Sequence, residues 1–431
     1  MIPRRKVNSY TGMSTDIVLS FLKGSLLKGA SISEFEEAFR RYLKIKNAIA
    51  VPSGRFGMEL LLKAFHLNKG DEIILPAYTY FVLPKIIINL GYKPVFVDIQ
   101  IKNYGINPAL ILQRITPKTK VIIATHLFGM SCDIEEILRI ASMYGIEVIE
   151  DCAQALGTEL ISGKKVGTLG NGAFFSFDTT KAINTFGGGI VVTNDDKIAD
   201  DIRKEVSTLR PSLKKVVLKI LYNYIEIISL KRPINNFSLG LIHKKKLYNF
   251  IKSFYRKVRG DLAGSQVAFT NIQAIVGLKQ LKDLDQYLEL RKNLGIKYIK
   301  KISCLKNIIL NQENIDYLLK NEAVLKEIHL HTFHNLIILI RNAKRISDML
   351  AKYYIDTGAQ GEILENCGKI YNPSQRYPVT EFAVENSIEL PIFPELKKSE
   401  VTYIITILRK ILGAEFKSEH SDYSQKWIGC N

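Results

Sequence analysis

Most of the residues with chemical promise stand directly after apolar runs. Ser53-Gly54-Arg55 follows NAIAVP, Tyr80 follows DEIILP, Asp151 and Gln154 follow IEVI, and Ser176 and Lys181 close and follow GAFFSF. In a parallel α/β sheet, ligands bind at the carboxyl ends of strands, so these positions are candidates. Lys181 lies between GAFFSF and GGIVVTN, two runs that read as buried. A buried lysine loses hydration at a cost unless something uses it. Glycine-bracketed amides at Ser53-Gly54-Arg55-Phe56-Gly57 suit a phosphate at a helix N-terminus, although Ser-Gly is common at such junctions. Asp151 could pair with a protonated ring nitrogen, hold a metal or cap the next helix. Tyr80 reads as a core aromatic or a stacking platform for a flat ring. Ser176 reads as a turn former or a phosphate donor.

Two other motifs promise less. GTLGNG (167–172) leads into a strand rather than a helix, so it is not a dinucleotide fingerprint. His329, His331 and His334 lack a nearby carboxylate or cysteine, and ordinary strand histidines explain them better than a metal site. Taken together, a phosphate cradle, an aromatic platform, a strand-end aspartate and a lysine thirty residues later are what a pyridine-ring phosphate cofactor needs. The lysine would form an imine with the cofactor aldehyde, and the aspartate would keep the ring nitrogen protonated. Cationic neighbours or desolvation would make the lysine amine nucleophilic.

The elements that must position these groups alternate from about 47 to 195. NAIAVP, DEIILP, KPVFVDI, KVIIATH and IEVIED read as strands separated by helical patterns, which indicates a mostly parallel sheet covered on both faces. The short link between GAFFSF and GGIVVTN suggests an antiparallel addition. Upstream, SISEFEEAFRRYLKI carries a capping-box pattern from Ser33 to Glu36, with Phe35, Phe39 and Leu43 on one face. Downstream, TNIQAIVGLKQLKDLDQYLELRKNL reads as one long amphipathic helix, followed by a smaller α+β unit. The expected division is 1–209 as the large α/β domain, 210–260 as a basic amphipathic insertion, 261–415 as the smaller C-terminal domain and 416–431 as a tail.

The chain resembles the DegT/StrS-type sugar aminotransferases, pyridoxal phosphate enzymes of the aspartate-aminotransferase fold. The resemblance runs from about 17 to 412, interrupted by the basic segment. It is carried by AVPSGRFGMELLL, GDEIILPAYTYFV, VIEDCAQALGT, GAFFSFDTTK, GGGIVVTND and TNIQAIVGLKQLKDLD. It implies that Lys181 is the Schiff-base lysine and proton shuttle. Asp151 would pair with the pyridine nitrogen, Gln154 would contact the ring hydroxyl, and Tyr80 would stack on the ring. Ser176 with the amides of Gly54 and Arg55 would hold the phosphate. Members are usually dimers in which the neighbour lends a phosphate-binding Asn just before the long helix, where this chain has Gln266. The chain departs from the pattern at Arg55, where Thr is usual, and at Gln266-Val267-Ala268-Phe269, where Asn-Tyr-Arg-Met is usual. It departs again at Asp178 and Gly187. The implied reaction moves an amino group from L-glutamate to a keto group of a nucleotide-linked deoxysugar. A diverged, non-catalytic cofactor-binding or regulatory paralogue is the alternative.

Composition sets the remaining bounds. The 431 residues carry a net charge of +18, with 47% hydrophobic and 24% charged residues. Between Arg210 and Gly260, thirteen basic residues face one acid, Glu226, so this segment alone supplies +12 of that charge. It reads first as a solvated amphipathic insertion. The second reading is attachment of 211–259 to an anionic membrane surface. No recognised motif accompanies the charge, which argues against nucleic acid. Five scattered cysteines without C-x-x-C spacing suit a reducing compartment, and no apolar run is long enough to span a bilayer. A cytoplasmic enzyme is expected, with a peripheral position at the inner membrane surface as the variant of that expectation.

Overall fold

The computed structural model describes residues 1–230, 267–302 and 331–419, with side chains as far as 413. Strands rich in β-branched residues and buried along nearly their whole length build a seven-stranded sheet. They are β1 (Asn47–Val51), β2 (Glu72–Pro76), β4 (Lys93–Val97), β5 (Thr119–Thr125), β6 (Glu147–Asp151), β7 (Gly172–Ser176) and β8 (Gly189–Thr193). A short strand, β3 (Tyr78–Thr79), lies just past β2 and outside that sheet. The order across the sheet is β1-β8-β7-β6-β5-β2-β4, and only β8 runs against its neighbours. The expected mostly parallel sheet and the antiparallel partner for β7 are therefore both present.

Alternation along each strand feeds two cores. Ile73, Leu75, Ile149 and Phe174 face the helices Gly54–Ala64, Val82–Asn89 and Asp196–Ser207. Ile74, Ile122 and Val148 face Ile134–Tyr144, while Phe175 and Phe177 meet Phe35 and Phe39 of Ser31–Leu43. The carboxyl ends of β5, β6 and β7 align, with Thr125 opposite Asp151 and Asp151 opposite Phe174.

A second sheet, ordered β10 (Gly358–Ala359), β12 (Ser387–Leu390), β9 (Leu336–Leu339), packs on the helices Leu284–Ile302, Ala343–Lys352 and Lys398–Glu419. Its core includes Ile2, because the first residues of the chain pair with Ile355. A two-stranded ribbon of β11 (Glu365–Asn366) and β3 ties this half to the end of β2.

Three local expectations change. The capping box from Ser33 to Glu36 does not form. The helix starts at Ser31, whose amide donates to Asn271 Oδ1 at 3.1 Å, and Glu36 accepts instead from the Ala50 amide. The sheet competes successfully for that carboxylate. The long helix is two, Asn271–Lys282 and Leu284–Ile302, interrupted at Asp283. Its first part packs among the large-sheet aromatics and its end reaches the smaller core. The helix that opens the basic segment, Leu213–Ser229, buries Lys219, Asn223 and Glu226 and exposes Val217, Leu218, Leu221 and Ile225. Val216 and Ile220 are buried beside them, so the inward face mixes polar and apolar residues while much of the outward face is apolar. Residues 231–266 lie outside the described set, Gln266 included. No helix among the described residues is long and apolar enough to cross a membrane.

A Cβ on Gly189 would sit 2.5 Å from the Phe175 carbonyl oxygen and 2.6 Å from the Gly54 amide, both backbone atoms that cannot yield cheaply. Gly189→Ala is expected to lose about 1–3 kcal/mol in a denaturant titration. Gly413→Ala, on a helix with nothing within 4 Å, is expected to gain up to about 1 kcal/mol in the same measurement.

Candidate active site

The strand ends open onto one cleft of about 920 Å³. Gly54, Arg55, Tyr80, Asp151, Gln154, Ser176 and Lys181 all line it, so seven of the eight residues singled out in the sequence come together. The eighth, Gln266, lies outside the described residues.

The phosphate-sized corner is built by close backbone approach. Ser53 caps the helix Gly54–Ala64 by accepting from the Phe56 amide at 3.2 Å. The next residue must be small, because a Cβ on Gly54 would lie 3.1 Å from Ser176 Cβ and from the Phe175 carbonyl oxygen. Gly187 and Gly188, at φ of 93° and 119°, carry the chain back past this corner into β8. The helix N-terminus, the Ser176 hydroxyl and the Arg55 guanidinium thus converge on a site suited to an anion.

Successive carboxylates on β6 point to opposite faces and have opposite surroundings. Glu150 accepts from the amides of Gly167, Leu169 and Gly170 at 2.7–2.8 Å and from His126 Nε2 at 3.0 Å. Burial alone would push its carboxyl up, but the His126 N–H and these amides more than offset this and hold it below the usual range. His126 Nδ1 accepts the Cys132 amide, so its ring proton sits on Nε2. His126 and Glu150 therefore form a hydrogen-bonded lock under the cleft floor, with Cys152 beside them and the carboxylate oxygens already taken. Asp151 faces the cleft and, among the described residues, receives only the Ala153 amide, at 3.0 Å. Burial dominates there and pushes its carboxyl up to about 6, with the Ala153 amide and the Lys181 charge pulling the other way.

Gln154 Oε1 accepts the Phe128 amide, which turns the Nε2 protons toward the cavity side. Tyr80 is 43% exposed at the rim and meets Phe81 edge-on. Lys181 sits in the irregular turn between β7 and β8, its amide bonded to the Asp178 carbonyl.

Several cleft residues escape sequence reasoning. Thr125 at the end of β5 and Thr179 near the lysine are buried, and their hydroxyls have no hydrogen-bond partner. Their signal was the one used for Ser176, a hydroxyl at a strand end or in the turn beyond it. Arg4 and Arg5 reach the cleft because the first residues pair with Ile355, and both bridge to buried Glu389 at 3.3–3.5 Å. Nothing local in MIPRRK announces this. Lys219, Tyr222 and Glu226 line the wall from the helix Leu213–Ser229. Of the three histidines, His329 is outside the described residues and His331 stacks on Phe333 at 4.0 Å. His334 lies in a small void with Lys181 and Arg291, and burial, then the Lys181 charge, keeps it neutral.

Residues 15–409 match the DegT/DnrJ/EryC1/StrS aminotransferase family. The chain belongs to that family. It is an aminotransferase, and its cofactor is pyridoxal 5'-phosphate. A GDP-perosamine synthase from Escherichia coli O157:H7 is 30% identical over 401 residues, covering 92% of this chain and 94% of the relative. A dTDP-3-amino-3,6-dideoxy-alpha-D-galactopyranose transaminase from Aneurinibacillus thermoaerophilus is 28% identical over 90% of this chain and 92% of that protein. Among solved structures, aminotransferase TlmJ from Streptoalloteichus hindustanus superposes with a TM-score of 0.74 at 18% identity, covering 96% of this chain and all of that one. DesI, solved in the presence of its TDP-sugar product, gives 0.71 at 21% identity over 98% and 95%. The fold is thus the type I aminotransferase fold. The cleft fits the family's cofactor: the Gly54 and Gly189 corner would be filled by any Cβ, and two buried threonine hydroxyls await partners.

Asp151 supplies a pH test. A raised carboxyl pKa means that the folded chain favours the protonated acid. Its contribution to stability is therefore full below about pH 4 and is lost as pH rises through about 6. In cofactor-free protein, Asp151→Asn is expected to be more stable than wild type at pH 7, by up to about 3 kcal/mol. The two should converge below about pH 4 when denaturation midpoints are compared across that range.

Proposed function

We propose that the chain transfers an amino group from L-glutamate to a keto group of a nucleotide-linked deoxysugar, in the building of a cell-surface glycan or glycolipid. The observation that carries this reading is one cleft lined together by Lys181, Asp151 and a helix N-terminus suited to an anion. Arg55 in the cleft suits a phosphate or carboxylate, while Arg4 and Arg5 are already bridged to Glu389. The names of the nucleotide-sugar transaminases among the relatives support the acceptor class.

Pyridoxal phosphate, when bound, supplies an aldehyde for nitrogen and a ring that draws electrons from the carbon being deprotonated. The protein's own groups do the rest. The Lys181 amine would hold the cofactor and would move the proton at the reacting substrate carbon. The Asp151 carboxylate keeps a proton on the ring nitrogen, and burial makes that ion pair strong. Gln154 Nε2 donates toward the ring hydroxyl, while Tyr80 at the rim packs on the ring face. Ser176 and the amides of Gly54 and Arg55 fix the phosphate.

Incubation of the protein with pyridoxal phosphate and L-glutamate is expected to release one 2-oxoglutarate per site in a single half-reaction. Lys181→Ala should abolish this while leaving the fold intact by circular dichroism. Offering GDP- and dTDP-linked 4-keto and 3-keto deoxysugars, with mass spectrometry of the products, then tests the acceptor. Failure of all of them with a normal half-reaction would sink the sugar reading alone.

The homodimer implied by the family resemblance draws support from the apolar outward face of Leu213–Ser229, where Ile225 is 64% exposed. Leu221→Glu with Ile225→Glu is expected to yield monomers by sedimentation velocity. Unchanged dimers that lose co-sedimentation with anionic liposomes would favour the membrane-surface reading of 211–259 instead.

A further inference from the structure

The helix Leu213–Ser229 turns one cation inward. Lys219 is 9% exposed, and its ammonium has no hydrogen bond or ion pair with any described residue. Its charged surroundings are Asp178, which favours the ammonium, and Lys215, which disfavours it. Burial is the largest influence and lowers its pKa. A buried ammonium without a bonded partner is costly, so the wall of the cleft is where a ligand anion would relieve it.

The place it points to can be traced through the glycine run. A Cβ on Gly187 would lie 3.8 Å from Lys219 Nζ. Two residues on, a Cβ on Gly189 would lie 2.6 Å from the Gly54 amide, at the start of the phosphate-binding helix. Two residues of backbone span at most about 7 Å. Lys219 therefore borders the same short glycine strip whose other end meets Gly54, and Lys219, Gly54 and Ser176 all line one cleft.

We propose that Lys219 binds the phosphate of the cofactor, so that the chain's own helix Leu213–Ser229 supplies a cation to that subsite. The inference rests on the cofactor reading of the cleft and adds a second cation, beside Arg55, with a charge-assisted contact. The competing role for Lys219, partner to the acceptor's phosphates, makes a different prediction.

The test compares two ligands that differ only in the phosphate. Dissociation constants of pyridoxal phosphate and of pyridoxal are measured by ultrafiltration with cofactor-stripped, full-length protein. Lys219→Met is expected to weaken pyridoxal phosphate about 10- to 100-fold and to leave pyridoxal unchanged, with Lys219→Arg recovering most of the loss. Equal weakening of both ligands would assign a structural role and overturn the proposal. So would an unchanged pyridoxal phosphate constant, whether or not the acceptor KM rises. Lys219→Gln, which keeps a polar tip, is measured in parallel, and the same ratio of constants decides if the Met variant does not fold. Wild-type protein that binds neither ligand would instead remove the cofactor reading itself, a result distinct from an indifferent Lys219.

Discussion

The chemistry of the cleft depends on a carboxylate that is buried and almost unsolvated. Asp151 has one backbone donor, whereas Glu150, the residue before it on the same strand, has three amides and an imidazole. The strand's two-residue period sends them to opposite faces, so one carboxylate is spent on architecture and the other is left wanting a partner. A protonated ring nitrogen answers that want. The lock around Glu150 matters for the same reason, because it ties the loop 167–170 and His126 beneath the floor on which Asp151 stands.

Close backbone approach at the anion-suited corner is a second constraint. The start of the first sheet helix, the end of β7 and the start of β8 approach so closely that Gly54 and Gly189 have no room for a Cβ. An antiparallel β8 inserted between β1 and β7 is what makes this possible. The topology thus brings together the serine, the amides and the glycine run, and Lys181 occupies the turn that joins them.

The fold, and the gathering of the candidate site residues into one cleft, were legible in the sequence because each carrier is local. Strand-end positions announce themselves as polar residues after apolar runs, which is how Asp151, Ser176 and Lys181 were found. What stayed hidden depends on contacts between distant segments. Arg4 and Arg5 enter the cleft through pairing of Ile2 with Ile355, some 350 residues away in the chain. Glu36 looked like a capping partner for Ser33, yet a strand amide at Ala50 claims it. The inward turn of Lys219, Asn223 and Glu226 on Leu213–Ser229 stayed hidden for the same reason: a helix wheel shows two faces but not which one meets a polar cavity.

That helix has an apolar side turned outward and a lysine turned inward, on a single rigid rod. Whatever covers the outer side also steadies the inner one, so the two occupancies are thermodynamically linked. If a second copy is the cover, dilution of the enzyme would loosen its hold on the cofactor, and cofactor would in turn favour assembly. Protein concentration then becomes a variable of the active site, although no residue of the second copy need touch the reacting atoms.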